Sequence, residues 1–237
     1  MTGEAPSGRG SELEARLGAV RERIALACAA AGRDPAEITL VAVTKFFPAT
    51  DIDLLVELGV RAIAENRDQE ASAKIAQVRR RGELVVHFIG QLQSNKARSV
   101  VTYCDVVQSV DRPKLVAALD HAAQTAGARP VVLVQVRLEE AQGRGGVPPV
   151  RAQALADLVA ASPHLELRGV MAVAPLGADP VQAFARLREV AHGIREAHPE
   201  ATWVSAGMSD DLEAAIGAGA THLRVGSAIL GSRQSLR

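Results

Sequence analysis

Apolar positions set two rhythms along this chain, a helical one and a run-like one, and they alternate. From Ser11 to Ala31 the rhythm is helical. Leu13, Leu17, Val20, Ile24 and Cys28 follow one another at spacings of four, three, four and four, which lines one face of a helix. Ser11 suits the N-cap and Gly32 the stop. Met1 to Gly10, rich in Gly, Ser and Pro and without an apolar stretch, reads as a disordered tail and not as a signal peptide.

Short apolar runs then take turns with helical stretches. Strands are predicted at Thr39–Thr44, Val60–Ala64, Leu84–Ile89, Val106–Val110, Val131–Leu138, Leu167–Val173, Thr202–Ala206 and His222–Val225. Helices are predicted between them, at Ala49–Leu58, Asp68–Arg80, Ser94–Val101, from Asp111 with Pro113 in its first turn, Val150–Ala161, Pro180–Ala197 and Asp210–Gly217. At most a short helix is expected beyond Ser227. Runs such as Val131-Val132-Leu133-Val134 are continuous rather than alternating, the mark of strands covered on both faces. Eight βα repeats with right-handed crossovers close into a (β/α)8 TIM barrel, here with an extra N-terminal helix. The expected organisation is one barrel domain over residues 11–237. A doubly wound sheet fits less well, because Lys45-Phe46-Phe47-Pro48 replaces the Gly-rich turn that such a fold carries after its first strand.

Composition narrows the function classes. Lys+Arg and Asp+Glu both number 27, so no net field recruits nucleic acid or an anionic membrane. Aromatic residues make up only 3%, too few for base-stacking platforms. Cys28 and Cys104 have neither disulfide nor metal-ligand spacing and read as small core residues, so no metal site is expected. No apolar run reaches the roughly 18 residues of a membrane span. A cytoplasmic protein is the expectation.

In a TIM barrel the chemistry sits at the carboxyl ends of the strands. Lys45 stands there, where an apolar run stops and Pro48 forbids the strand to continue. An amine held partly out of water is a nucleophile for carbonyl groups; the plainer reading is a lysine reaching out to solvent. The loops after the last two strands, Ser205 to Ser209 and Gly226-Ser227, are Gly/Ser-rich and open short helices, as phosphate-binding barrel loops do. Ser209 could equally cap the helix that begins at Asp210, and Asp210 and Asp211 would partly repel a phosphate. Arg224, between Leu223 and Val225, needs an acceptor: a carboxylate such as Glu65, or a ligand. Against a pyridine nitrogen a guanidinium would keep that nitrogen unprotonated and weaken the ring as an electron sink. Asn66 and Ser109 could touch ring substituents or satisfy backbone. His87 has no evident partner and reads as a core or rim histidine. Arg79-Arg80-Arg81 reads as a solvated helix end.

These stretches carry a resemblance. Val41-Ala42-Val43-Thr44-Lys45, Glu65-Asn66-Arg67, His87-Phe88-Ile89-Gly90, Ser109-Val110-Asp111-Arg112, Gly207-Met208-Ser209-Asp210-Asp211-Leu212-Glu213 and Arg224-Val225-Gly226-Ser227 occur in the order found in the pyridoxal phosphate homeostasis protein family. The chain resembles that family from the first helix to the last strand. The resemblance implies a barrel like the N-terminal domain of alanine racemase and pyridoxal 5'-phosphate as cofactor. It implies a covalent imine on Lys45, phosphate contacts at Ser205, Met208, Ser209, Gly226 and Ser227, a ring-nitrogen contact at Arg224, and a position near the cofactor for Asn66. It also implies vitamin B6 homeostasis without catalysis, with no catalytic residue assigned and apo-enzymes as recipients of the cofactor; a monomer is expected. A pyridoxal-phosphate-dependent racemase or lyase is the alternative. It would need a second catalytic group opposite the imine, and the one tyrosine, Tyr103, precedes the fourth strand. Departures from the family pattern fall on the rim, at Phe46, Phe47, Gln91, Arg137 and Arg144-Gly145-Gly146.

Overall fold

The computed structural model describes residues 8–139 and 145–232. Helix α1 (Gly8–Ala31) comes first. Strand and helix then alternate: β1 (Thr39–Val43), α2 (Ala49–Glu57), β2 (Ala62–Glu65), α3 (Asp68–Ile75), β3 (Val85–Phe88), α4 (Ala97–Val100), β4 (Val106–Val110) and α5 (Pro113–Ala126). The second half continues as β5 (Val131–Gln135), α6 (Pro149–Ala160), β6 (Glu166–Met171), α7 (Pro180–Ala197), β7 (Trp203–Ser205), α8 (Leu212–Gly217), β8 (His222–Val225) and α9 (Ser227–Leu230). All strand pairs are parallel, and β8 returns to β1, so the sheet closes as an eight-stranded TIM barrel. The predicted fold class holds, N-terminal helix included.

Period two along the strands divides the side chains between two interiors. Ala42, Ile63, Val86, Val107, Val132, Val170, Val204 and Leu223 face outward into one continuous core under the helices. Val41, Val43, Ala62 and Ala64 form a separate, smaller cluster inside the barrel. These lumen residues of β1 and β2 are small, whereas β3, β4, β7 and β8 send His87, Gln108, Ser205, His222 and Arg224 into the same space and all are buried. A register shift between Val107 and Val110 marks an irregularity of β4 beside Gln108 and Ser109.

Helix α1 buries the predicted stripe of Leu13, Leu17, Val20, Ile24 and Cys28. It begins at Gly8 rather than at a Ser11 cap, so Ser11 lies inside the helix and Gly8 to Gly10 are not tail. The reason is tertiary: Arg9 reaches Asp51 at 2.7 Å and the Leu230 carbonyl at 3.1 Å, pinning the first turn to α2 and α9. The rest of the expected tail lies outside the described residues. Helix α3 stops at Ile75, short of Arg80, and the arginine run after it is not a solvated helix end. Its members answer separate carboxylates: Arg79 binds Asp53, Arg80 binds Glu83, and Arg81 binds Asp105. The helix expected at Ser94–Val101 begins as a 3-10 turn at Ser94–Lys96 before α4.

Candidate functional site

Lys45 is the second residue after β1, in a turn closed by a bond from the Phe47 N–H to the Thr44 carbonyl. Phe46, at φ 71°, is the one non-glycine among the described residues with positive φ, and aromatic side chains seldom adopt that conformation. Its ring compensates by serving two cations: Lys45 Nζ lies 5.9 Å and the Arg67 guanidinium carbon 5.6 Å from its centroid. The turn thereby fixes the root of the lysine and leaves the amine at the rim.

Below it lies a polar pair that sequence reasoning missed. Glu65, with no exposure to solvent, accepts from the Thr44 hydroxyl at 2.6 Å and from Lys74 Nζ at 2.8 Å. Lys74 also donates to the Thr44 carbonyl at 2.9 Å. Glu65 is therefore the partner of Lys74 and not of Arg224. The spacing of nine residues between Glu65 and Lys74, from strand end to helix interior, gave no periodic signal for the pairing.

Arg224 is held from the other side. Its Nη1 donates to Ser205 Oγ at 2.6 Å and its Nη2 to the Ala172 carbonyl at 2.8 Å. Burial pulls its proton affinity down, to a pKa of about 10, with Asp211 opposing. The Ser205 hydroxyl is committed to this lumen contact and donates onward to Gln108 Oε1 at 2.7 Å. It is not part of the Ser209–Ser227 cluster, so its role toward the mouth runs through Arg224. Gln108 Nε2 in turn meets His87 Nδ1 at 2.7 Å. His87 thus has a partner that sequence reasoning did not find.

At the ends of β7 and β8 the remaining predicted residues do meet. The Ser227 hydroxyl donates to Ser209 Oγ at 3.0 Å, and the Ala228 N–H points to the same oxygen at 3.3 Å. Ser209 thus serves α9 and not the helix after Asp210. Met208 is partly exposed; its N–H donates to Asp211 Oδ1 at 2.6 Å, so that backbone donor is engaged by a carboxylate. Arg23 of α1 grips this loop through the Ser209 carbonyl at 3.0 Å. Gly226 makes a close approach: a Cβ there would lie 3.3 Å from Val43 Cβ and from the Val43 carbonyl, tighter than an ordinary contact. That close approach, with Arg224 in register beside Val41, sets the Gly226-Ser227 turn against the end of the strand that precedes Lys45.

Asn66 and Ser109 stand at the ends of β2 and β4. Asn66 Oδ1 and Ser109 Oγ are buried and have no hydrogen-bond partner among the described residues. Gly90 lets the chain pass Asn66, since a Cβ there would fall 1.9 Å from the Asn66 carbonyl oxygen. Across the mouth, Gln91, Arg137 and Gly145 line a hollow of about 320 Å³ between β3, β5 and β6; Arg144 lies outside the described residues. One barrel end thus gathers an amine, a donor-only guanidinium, a hydroxyl pair at a helix start, and two polar atoms awaiting partners. Among the described residues no group of three or more His, Cys, Asp or Glu could hold a metal ion, and no helix is long and apolar enough to cross a membrane.

Comparison with known proteins gives the same picture from outside. The family described as the alanine racemase N-terminal domain matches residues 15–234. A protein of Mycobacterium tuberculosis named pyridoxal phosphate homeostasis protein is 43% identical over 244 residues, covering 95% of each chain. One of the same name from Escherichia coli is 36% identical over 228 residues, covering 94% of this chain and 97% of its own. Among solved structures, PipY of Synechococcus elongatus with PLP bound superposes with a TM-score of 0.81 at 33% identity, over 92% of this chain and all of PipY.

Proposed function

The chain belongs to the pyridoxal phosphate homeostasis protein family, on a barrel of the alanine racemase N-terminal type, and on that premise we propose that it binds pyridoxal 5'-phosphate at the carboxyl mouth and carries it without catalysing amino-acid chemistry. The observation that supports this most is the convergence at one barrel end of Lys45, Arg224 and the Ser209–Ser227 pair. The residues present fit the group. Asn66 Oδ1 and Ser109 Oγ, buried and without a partner among the described residues, would offer an acceptor and a hydroxyl to ring substituents. When bound, the cofactor supplies an aldehyde that condenses with an amine and a ring that can accept electrons.

Lys45 is the residue that would hold the aldehyde end of the cofactor, through an amine able to condense with a carbonyl reversibly. Ser209, Ser227 and the backbone at Gly226 receive the phosphate, with Met208 beside them; the Met208 N–H joins only by leaving Asp211. Ser205 and the Ala172 carbonyl hold Arg224 in place, and Arg224 would be the residue that meets the ring nitrogen. A guanidinium has no proton to spare at neutral pH and so keeps a pyridine nitrogen unprotonated, which suits storage more than carbanion chemistry. The single tyrosine supplies no second acid or base: the Tyr103 hydroxyl is turned to Asp68 at 3.4 Å, and burial raises its proton affinity further. Apo-enzymes would be the recipients, with the protein acting as a cytoplasmic monomer.

Titration of the purified protein with pyridoxal 5'-phosphate should give a saturable visible band of a protonated imine. Lys45→Ala should abolish it, and borohydride should fix the label on the peptide containing Lys45. A band that survives Lys45→Ala refutes the lysine assignment, and loss of optical rotation from L-alanine or L-serine well above the rate with free cofactor refutes the carrier reading in favour of a racemase.

A further inference from the structure

The two acceptors that hold Arg224 are both neutral, a hydroxyl and a carbonyl. The Ala172 carbonyl can only accept. The Ser205 hydroxyl can accept or donate, and one that turned its proton toward the guanidinium would repel it. What Ser205 does with its proton therefore decides how firmly Arg224 is held. That proton goes to Gln108 Oε1 at 2.7 Å, and Ser205 and Gln108 are both buried, out of reach of bulk solvent.

An amide is also two-sided, so the direction of the chain needs its own argument. Arg224 has only donors, so Ser205 Oγ accepts from it. Gln108 Nε2 meets His87 Nδ1 at 2.7 Å, and burial pushes the His87 pKa down to about 3, so the ring is neutral and its Nδ1 can accept. The ring proton then sits on Nε2. With the amide turned over, Gln108 would offer Ser205 an N–H, and the Ser205 proton would have no acceptor in the chain. Arg224 thus fixes the polarity of every group behind it, and Gln108 is the member that takes up the ambiguous proton.

The backbone of β4 explains how Gln108 comes to stand there. Val107 and Val110 both belong to the core under the helices although they are three positions apart. Strict alternation would have put Ser109 on the helix side with Val107. The register shift between Val107 and Val110 instead leaves two consecutive residues, Gln108 and Ser109, off that core.

We infer that Gln108 is a positioning residue for Arg224: by taking the Ser205 proton it commits the hydroxyl to the guanidinium and holds Arg224 still for a ring acceptor of the cofactor, without touching the cofactor itself. The role toward the cofactor rests on the function proposed above, whereas the clamp on Arg224 can be read with no ligand added.

Gln108→Met keeps the volume and removes the acceptor; Gln108→Glu keeps an oxygen for the Ser205 proton whether or not it is ionised. The full chain, labelled with ¹⁵N-arginine and without cofactor, is followed at the Arg224 Nη resonances, identified by their loss in Arg224→Lys. Rotation of the guanidinium should be slow in the unaltered protein and in Gln108→Glu, and severalfold faster in Gln108→Met. The Kd for pyridoxal 5'-phosphate should rise roughly fivefold in Gln108→Met, the net loss of about one neutral hydrogen bond, and stay near the unaltered value in Gln108→Glu. A folded Gln108→Met protein with unchanged Arg224 rotation and unchanged affinity would overturn the inference. Should that variant not fold, the ¹⁵N-histidine spectrum of the unaltered chain decides: His87 should be bare at Nδ1 and protonated at Nε2, and a proton on Nδ1 would reverse the chain and overturn the inference. Failure of the cofactor reading shows separately, as an unaltered chain that gives no visible band on titration, and Arg224 rotation then still tests the clamp.

Discussion

Glu65 and Lys74 show what a single buried charge requires. The carboxylate has no solvent, and its Oε1 takes both the Thr44 hydroxyl and the Lys74 ammonium while Oε2 has no partner among the described residues. Removing one partner of such a pair leaves a charge stranded in low dielectric, which is far worse than never having had the pair. Lys74→Met should therefore destabilise the fold by roughly 3–5 kcal/mol, read as a lower urea midpoint at unchanged slope. Adding Glu65→Gln to that variant should restore much of the loss, because the neutral amide no longer needs the cation. A Lys74→Met protein with wild-type stability would show that the pair does not hold the fold together. The pair also matters for Lys45, since Lys74 holds the Thr44 carbonyl from which the Lys45 turn springs.

At the level of elements, α1 is a brace more than a cover. Arg9 ties its start to α2 and α9, Arg23 grips the loop after β7 through Ser209 and Glu213, and Arg33, just past its end, holds the Ile216 and Ala220 carbonyls around α8. Both loops assigned to the phosphate thus depend on a helix that precedes the barrel. Arg9→Ala removes a charged contact from Asp51, a nearly buried carboxylate, and should cost about 2 kcal/mol. Amide exchange should then quicken in the first turn of α1 and around Leu230 while β3 to β6 stay protected; uniform exchange would show that the helix end is not a local anchor. The helix itself was legible, because its stripe at spacings of three and four is an intrinsic signal. Its start was not, because what holds Gly8 to Gly10 in helix is an arginine contact 42 residues away in sequence. The arginine run after α3 was misread for the same reason at two of its members: Arg79 and Arg81 answer Asp53 and Asp105, whose positions only the closed barrel reveals, whereas Arg80 answers Glu83 three residues on.

The same division holds for the whole molecule. Eight apolar runs with helices between them announced the barrel, and the strand ends announced Ser209 and Ser227, which meet, and Gly226, which packs against Val43 two residues before Lys45. The lumen was hidden. Ser205 and Gln108 are 97 positions apart, and nothing in the spacing of His87, Gln108, Ser205 and Arg224 foretold a continuous chain through the barrel. That polar lumen has a consequence for pH. Burial holds two neutral histidines far below the ordinary value of 6.5: His87 at about 3, and His222 at about 4 with Arg224 adding to the effect. Below 6.5 the unfolded chain takes up protons that the native barrel refuses, so the unfolded state binds more protons and stability rises with pH through that window. The contribution is complete above 6.5 and shrinks as the pH falls toward 4 and then 3. Between pH 7 and 5 the two rings together should remove about 3–4 kcal/mol, before most carboxylates begin to titrate. Urea midpoints measured across that range should fall steadily. Replacing His222 with Asn, which cannot take up a proton, should remove close to half of the slope, whereas a slope unchanged by His222→Asn would assign the acid sensitivity to groups outside the lumen.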